Sequence, residues 1–285
     1  MAHLSSDTTK AIADRLSVIE ALLPQLENDV LDLQVTSNAR ATKTNIFDLV
    51  TEADLHSEKI ITSAIQKHFP EDSIIAEEGT NSDAHDSESF TWVIDPIDGT
   101  VNYANCLHHW GISVGIVIQN TPVGGIVSAP SLNERYRAIK GQGATKNGVP
   151  IQVSAKSLLS EGVVVTGFPY DRAIRAEHLS RALANFLKVA GGVRRFGAAS
   201  IDFCSVANGT VIGYYEMQLK PWDMAAGLVI AEEAGAKITD FKGNPVDLFK
   251  SHGVVVANPS IHKLMLPHTA PMLDAIAVTE NRRRS

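Results

Sequence analysis

Apolar positions recur every three to four residues near the start of the chain, at Ile12, Leu16, Ile19, Leu23, Leu26, Val30 and Leu33. This spacing predicts a long amphipathic helix, interrupted only by Pro24. A polar stretch over 36–45, with Arg40 and Lys43 and almost no large apolar residue, reads as a mobile loop. A second helix is expected over about 57–69, with Ile60, Ile61, Ala64, Ile65 and Phe69 inward and Pro70 as its stop. Ile74-Ile75-Ala76 is a short strand running into Glu77-Glu78-Gly79, and 81–89 reads as exposed. Trp92-Val-Ile94 is a buried strand, since three bulky residues are bounded by turn residues.

From 110 to 139 the pattern predicts an antiparallel meander of strands at 112–118, 123–129 and 135–139. Asn147-Gly148 then marks a tight turn. Beyond about 155, strand and helix alternate. Strands are expected at 163–166, 211–215 and 254–257, and helices at 177–189, 199–207 and 224–234, the last ending at Gly235. The predicted class is α/β in layered α+β form. One domain spans 1–285, with an α+β half to about 155, an α/β half over 156–270 and a disordered tail at 278–285. There is no internal repeat, and the single Trp222-Asp223 is no propeller signature.

Composition narrows this little. A chain of 285 residues with 44% hydrophobic and 20% charged residues is an ordinary globular protein with a sizeable core. The net charge of -7 argues against general nucleic-acid binding. Cys106 and Cys204 offer no disulfide framework and read as small core residues in a reducing compartment. No apolar leader and no membrane-length run is present, so a cytoplasmic location is expected, or an organellar one if a transit peptide is missing.

The chemistry gathers at strand ends and helix starts. Asp95 and Asp98 follow the Trp92 strand, with Pro96 stiffening the exit, Gly99 allowing close backbone approach and Thr100 opening a helix. An ordinary acidic turn would look the same. An EF-hand loop would not, because counting from Asp95 its ligand positions fall on Ile97, Gly99 and Cys106. Asp48-Leu-Val-Thr51-Glu-Ala-Asp54 precedes the second helix, where capping is the plain alternative. Glu77-Glu78 ends a strand, and Asp223 opens a small-residue helix, Met224-Ala-Ala-Gly227. Gathered on one face these acids would repel one another, and divalent cations would relieve that repulsion. Two Mg2+ ions about 4 Å apart clamp the attacking and leaving oxygens of a phosphoryl displacement.

Asp48-Leu-Val-Thr-Glu-Ala-Asp54, Ile75-Ala-Glu-Glu-Gly79, Asp95-Pro-Ile-Asp-Gly-Thr100 and Trp222-Asp-Met-Ala-Ala-Gly227 stand in the order and approximate spacing of the inositol monophosphatase family, which the chain resembles over roughly 10–265. Lys140-Gly-Gln-Gly-Ala144, Arg195-Phe-Gly-Ala-Ala199 and Tyr214-Tyr-Glu216 add to the likeness. The resemblance implies an αβαβα five-layer sandwich, usually a homodimer, and a Mg2+-dependent, lithium-inhibited phosphomonoesterase. It implies two to three ions per site, with Mn2+ as a substitute. Glu77, Asp95 and the Ile97 carbonyl would hold the first. Asp95, Asp98 and Asp223 would hold the second, and Glu77 would help a looser third. Asp48, Thr51 and Thr100 would orient a metal-activated water that attacks phosphorus directly, Gly99 and Thr100 N–H groups would cradle phosphate, and Lys43 matches the family's active-site lysine.

For the alcohol, Asp-Gly-Thr100-Val-Asn-Tyr103 resembles the inositol phosphatases. Glu216 matches the carboxylate that accepts inositol hydroxyls, against the plain alternative of a surface acid at a strand end. Gly197, Ala198 and Ala199 match the segment over the ring, with Ala198 in place of a usual Thr or Ser; Asp98 and Asp223 would also face the substrate. The expected substrate is a small phosphorylated polyol, inositol monophosphate first. Histidinol phosphate, an amino alcohol ester, and fructose 1,6-bisphosphate are the enzymatic alternatives. A partner-binding protein of the transcription machinery is the non-enzymatic one. No membrane and no direct nucleic-acid partner is expected.

Overall fold

The apolar stripe of the first segment builds α1 (Ser6–Thr36), which buries Ile12, Leu16, Ile19, Leu23, Leu26 and Val30. Pro24 lies inside this helix on its exposed side and does not divide it, because one missing N–H costs less than uncovering the stripe. In this computed structural model, residues 4–36, 40–42, 49–81 and 89–283 are described. A short hairpin, β1 (Arg40–Thr42) with β2 (Leu49–Thr51), leads into α2 (Glu52–His68).

The large sheet contains β3 (Ser73–Ala76), β4 (Thr91–Asp98), β5 (Gly111–Ile118), β6 (Thr121–Ala129), β7 (Glu134–Ile139), β8 (Ala144–Lys146) and β9 (Val149–Pro150), in that spatial order. β3 runs parallel to β4, and every later pairing is antiparallel. The short helix α3 (Thr100–Ala104) follows β4. After β9 come β10 (Val163–Thr166), α4 (Arg172–Leu187), β11 (Gly192–Arg194), α5 (Ala199–Ala207), β12 (Gly213–Met217), α6 (Pro221–Glu233), β13 (Lys237–Thr239) and β14 (Gly253–Ala257). Their strands form a second sheet in the order β11-β10-β12-β14-β13. Helices α7 (Pro259–Met265) and α8 (Ala270–Arg283) follow.

Strand alternation stacks these parts into five layers. Trp92, Ile94, Ile112, Val114 and Ile116 face α1 and α2 in one core. Val93, Val127 and Tyr136 face the opposite way, onto α5 and α6, in a second core that also takes Val165, Tyr214, Val254 and Val256 from the smaller sheet. The far face of that sheet, through Val164, Tyr215 and Val255, packs on Leu179 and Phe186 of α4, Ile261 and Met265 of α7 and Met272 of α8. The order is αβαβα, as expected.

The central α6 lies unusually close to the large sheet. A Cβ built on Gly125 would sit 2.6 Å from the Ala226 Cα, and one on Gly115 would sit 2.5 Å from the Ala225 Cβ. Small residues on both surfaces therefore set the depth of the helix, and with it the position of Asp223 in its first turn.

The structure corrects several expectations. The stretch read as a loop over 36–45 carries β1 at Arg40–Thr42. Helix α2 starts at Glu52 instead of 57, because Thr51 and Asp54 cap it. Helix α4 starts at Arg172 and ends at Leu187, and β12 is shifted to Gly213–Met217. Cys106 is exposed, at φ 56 in the turn after α3, so only Cys204 is a core residue. Helix α8 runs on to Arg283, into the stretch over 278–285 expected as a disordered tail.

Replacing Gly125 with Val should force α6 off the sheet and destabilise the fold by about 1–3 kcal/mol, the usual cost of overpacking. Thermal unfolding checks this, and an unchanged Tm would mean that the close approach does not govern helix depth.

Candidate active site

The strand carrying the first acids does not stop at Ile94. β4 continues through Pro96 to Asp98, and its register against β5 shifts between Asp95, opposite Ser113, and Asp98, opposite Gly111. Pro96 has no N–H to give the ladder, so the local break is where a proline is tolerated in a central strand. The Ile97 N–H donates to Asp95 Oδ1 at 3.1 Å within it. This turns Asp95, Ile97 and Asp98 into a cleft of about 980 Å³ whose walls come from both sheets.

Asp223 reaches the same place from α6. Its Oδ2 accepts the Lys220 N–H at 2.6 Å, so the plain capping role is real. Capping uses one oxygen, and one carboxylate oxygen each from Asp95, Asp98 and Asp223 lies within 4.8 Å of the others. Asp95 is 2% exposed and Asp98 7%. Burial raises the Asp95 carboxyl well above its ordinary value, and the charges of Glu77, Asp98 and Asp223 raise it further. Burial likewise raises Asp223, and then Asp98 and Glu77. Asp98 is also raised by burial, although hydrogen bonds from Ser200 and Ala199 act the other way. Among the described residues no Lys or Arg pairs with these three acids. A gathering of hard oxygen donors without a protein countercharge fits a divalent cation of the Mg2+ or Ca2+ kind.

Asp98 is oriented from the opposite side of the cleft. Ser200 donates its hydroxyl at 2.6 Å and its N–H at 2.7 Å to Oδ2, and the Ala199 N–H lies 3.2 Å from Oδ1. Gly99, at φ 86, allows this approach, since a Cβ there would meet the Ala198 Cβ at 3.0 Å and the His109 carbonyl at 3.1 Å. Ala198 itself is buried in the core beside the site. Gly197 and Ala199 line the cleft.

Asp54, read from sequence as part of a capping segment, does more than cap. It is fully buried and accepts both the Thr51 N–H at 2.8 Å and the Thr51 hydroxyl at 2.5 Å on Oδ2. Its Oδ1 takes the Thr100 hydroxyl at 3.3 Å, and that hydroxyl also lies 3.0 Å from the Ile97 carbonyl. The two threonines are thus tied to one carboxylate. Asp48 and Lys43, expected beside them, lie outside the described residues.

Glu77 lines the cleft next to the aspartates. Glu216 faces it from β12, where it pairs with Val254 in the interior of the sheet and is 9% exposed, which corrects the reading of a surface acid at a strand end. Tyr214 donates to its Oε2 at 2.6 Å, and burial pushes the carboxyl up to about 8. Gly167 leaves room for it, because any Cβ there would run into the carboxylate. Arg195 also lines the cleft and faces Glu216 electrostatically. Sequence reading missed the roles of Ser200 and Gly167 because neither position carries a local signal. Asp54 had one, the Thr-x-x-Asp spacing, which announced only the cap.

Glu216 yields a pH prediction. Its folded value lies above its ordinary 4.5, so between 4.5 and about 8 the folded chain holds a proton that the unfolded chain has lost. Stability is therefore withdrawn as pH rises through that window. With divalent metal chelated, the Tm difference between Glu216→Gln and the parent should grow in the variant's favour from about pH 5 to about pH 8.5. A difference independent of pH would show that Glu216 is not held protonated.

Known proteins agree with this construction. The model of the inositol monophosphatase family matches residues 7–273. An inositol-1-monophosphatase from Synechocystis is 40% identical over 216 residues, spanning 76% of this chain and 75% of its own. A protein named Nus factor SuhB from Vibrio cholerae is 36% identical over 83% of this chain and 88% of its own. Among solved structures, Thermotoga maritima IMPase superposes with a TM-score of 0.84 at 32% identity, covering 92% of this chain and 99% of that one. An IMPase/NADP phosphatase described as complexed with Mg2+ and phosphate gives a TM-score of 0.80 at 25% identity, covering 92% and 95%. A family match over nearly the whole length, on a fold that gathers these acids, has one reading: the chain belongs to the inositol monophosphatase family of phosphomonoester hydrolases.

Proposed function

We propose that the chain hydrolyses a small phosphorylated polyol, inositol monophosphate first, with Mg2+ as its cofactor. The observation that carries this is the convergence of Asp95, Asp98 and Asp223 within 4.8 Å, with no Lys or Arg paired to them among the described residues, in a cleft that also holds Glu216. Two to three ions are proposed, with Mn2+ as a substitute. Glu77, Asp95, Asp98, Asp223 and the Ile97 carbonyl would hold them. Mg2+ when bound supplies a more acidic water and absorbs charge developing on the phosphoryl oxygens.

The chain's own residues supply orientation. Asp54 fixes the hydroxyls of Thr51 and Thr100 on one side of the reacting centre, where Asp48 and Lys43 are proposed to join them. The first amides of α3 have no helical acceptor and suit phosphate, with Gly99 allowing it to come close. Ser200 and Ala199 keep Asp98 turned towards the cleft. Glu216, raised to about 8 by burial, carries its proton at neutral pH and can both donate to and accept from a polyol hydroxyl. A cleft walled by both sheets supports the reading of the whole chain as one working unit. A cytoplasmic homodimer belongs to the same reading. No helix among the described residues is long and apolar enough to cross a membrane.

A second reading comes from the relatives named Nus factor SuhB, which favour a transcription partner in addition to or in place of catalysis. Asp95→Asn separates the two, because it removes the metal site and leaves the outer surface alone. Cells that keep the transcription phenotype with this variant would favour the partner reading.

Phosphate release should require Mg2+ and fall to background in Asp95→Asn; a protein that hydrolyses no phosphomonoester with Mg2+ present would overturn the enzymatic reading. Inositol 1-phosphate, histidinol phosphate, fructose 1,6-bisphosphate and adenosine 3′,5′-bisphosphate, compared by kcat/KM, should rank the inositol ester first. Li+ at millimolar order should inhibit.

A further inference from the structure

Helix α2 presents a second buried acid one turn beyond Asp54, on the same face. Glu58 is 5% exposed, and among the described residues no salt bridge reaches it. A buried carboxylate needs hydrogen-bond donors, and Glu58 finds them on another element. Its Oε2 accepts the Glu78 N–H at 2.8 Å, and its Oε1 accepts the Thr80 N–H at 2.9 Å. These two amides flank Gly79, at φ 115, in the turn that follows β3.

The turn is the one that carries Glu77. Its stem is held by the Ala76 N–H on the Thr80 carbonyl and by the Glu77 N–H on the Ile94 carbonyl, each at 3.1 Å. Among the described residues β3 is the edge strand of the sheet, paired with β4, and the chain beyond the turn returns only through a single antiparallel bridge between Asn81 and Ile75. Within the turn, the Glu58 carboxylate supplies the acceptors for the amides of Glu78 and Thr80. Both of its oxygens receive charge-assisted bonds, the short and strongly directional kind.

We propose that Glu58 is a positioning residue for metal binding: it clamps the turn at residues 78 and 80, so that Glu77 is presented to the cleft in a fixed place. The proposal rests on the reading of Glu77 as a metal ligand. It makes α2 a common template, with Asp54 holding the two threonines and Glu58 holding the Glu77 turn, four residues apart.

The plain alternative is that Glu58 only closes an edge turn and contributes to stability. Glu58→Gln distinguishes the two, because it keeps length and shape. Its amide oxygen can accept one N–H, while its NH2 group must face the other donor. The expected result is Mg2+ binding about 10- to 100-fold weaker by calorimetry, the usual cost of losing a partner that orients a ligand. Amide exchange at Glu78 or Thr80 should be faster in the same variant. Ile61→Val, on the same helix, serves as a stability control: it should lower Tm without moving Mg2+ affinity. In a Glu77→Gln background, the added Glu58→Gln change should weaken Mg2+ binding no further.

A lowered Tm with unchanged Mg2+ affinity in Glu58→Gln, while Glu77→Gln alone does weaken binding, overturns the clamp. Unchanged Mg2+ affinity in Glu77→Gln itself overturns the ligand reading beneath it, and the proposal falls with it.

Discussion

Mutual repulsion among buried carboxylates is the constraint on which the site depends. Asp95, Asp98 and Asp223 are held together in a setting where burial and one another's charge resist ionisation. Such an arrangement persists only because the surrounding structure over-determines it. Asp95 and Asp98 are fixed by a register break in a central strand of the large sheet. Asp223 is fixed by a helix that cannot move away, because its alanines lie against Gly115 and Gly125. A divalent cation would relieve this repulsion, which would link binding of metal to stability of the folded chain.

Around this centre the polar residues divide the labour. One set restrains the backbone near the acids: Asp54 on Thr51 and Thr100, Glu58 on the Glu77 turn. A second set orients an acid itself, with Ser200 and Ala199 on Asp98 and Lys220 on Asp223. The donors in these contacts are backbone N–H groups and hydroxyls, Lys220 giving its backbone N–H and not its side chain. A lysine or arginine in their place would neutralise the acids and compete with the metal, whereas N–H and hydroxyl donors orient a carboxylate and leave its charge available.

The second sheet contributes the other wall. Glu216 sits in the middle of β12, paired through its backbone with Val254, while its carboxylate lies over Gly167 and receives the Tyr214 hydroxyl. The three converging aspartates and Glu216 come from strand and helix, and the turn segments 168–171 and 248–252 add to the lining of the cleft. This separation suits an enzyme whose chemistry is common to a family and whose alcohol varies among its members.

Much of this was legible in the order of residues alone. The stripe from Ile12 to Val30 dictates an amphipathic helix, and the unbroken apolar run Trp92–Ile94 dictates a strand buried on both faces. The acid motifs could be read too, since they are local and stand at element ends. What the sequence could not determine was distance. Asp98 and Ser200 are 102 positions apart, and Glu58 and Glu78 are 20 apart; each pair meets only because helices dock on sheets at one depth. No periodicity encodes such a meeting. Boundaries also escaped where a cap overrode the pattern, as at Thr51 and Asp54, and where Pro24 was outweighed by the stripe on either side of it. The sequence by itself determined which layers exist and which acids are available. The tertiary structure alone decided that those acids share one cleft, because side chains far apart in the chain are brought together only by the packing of whole elements.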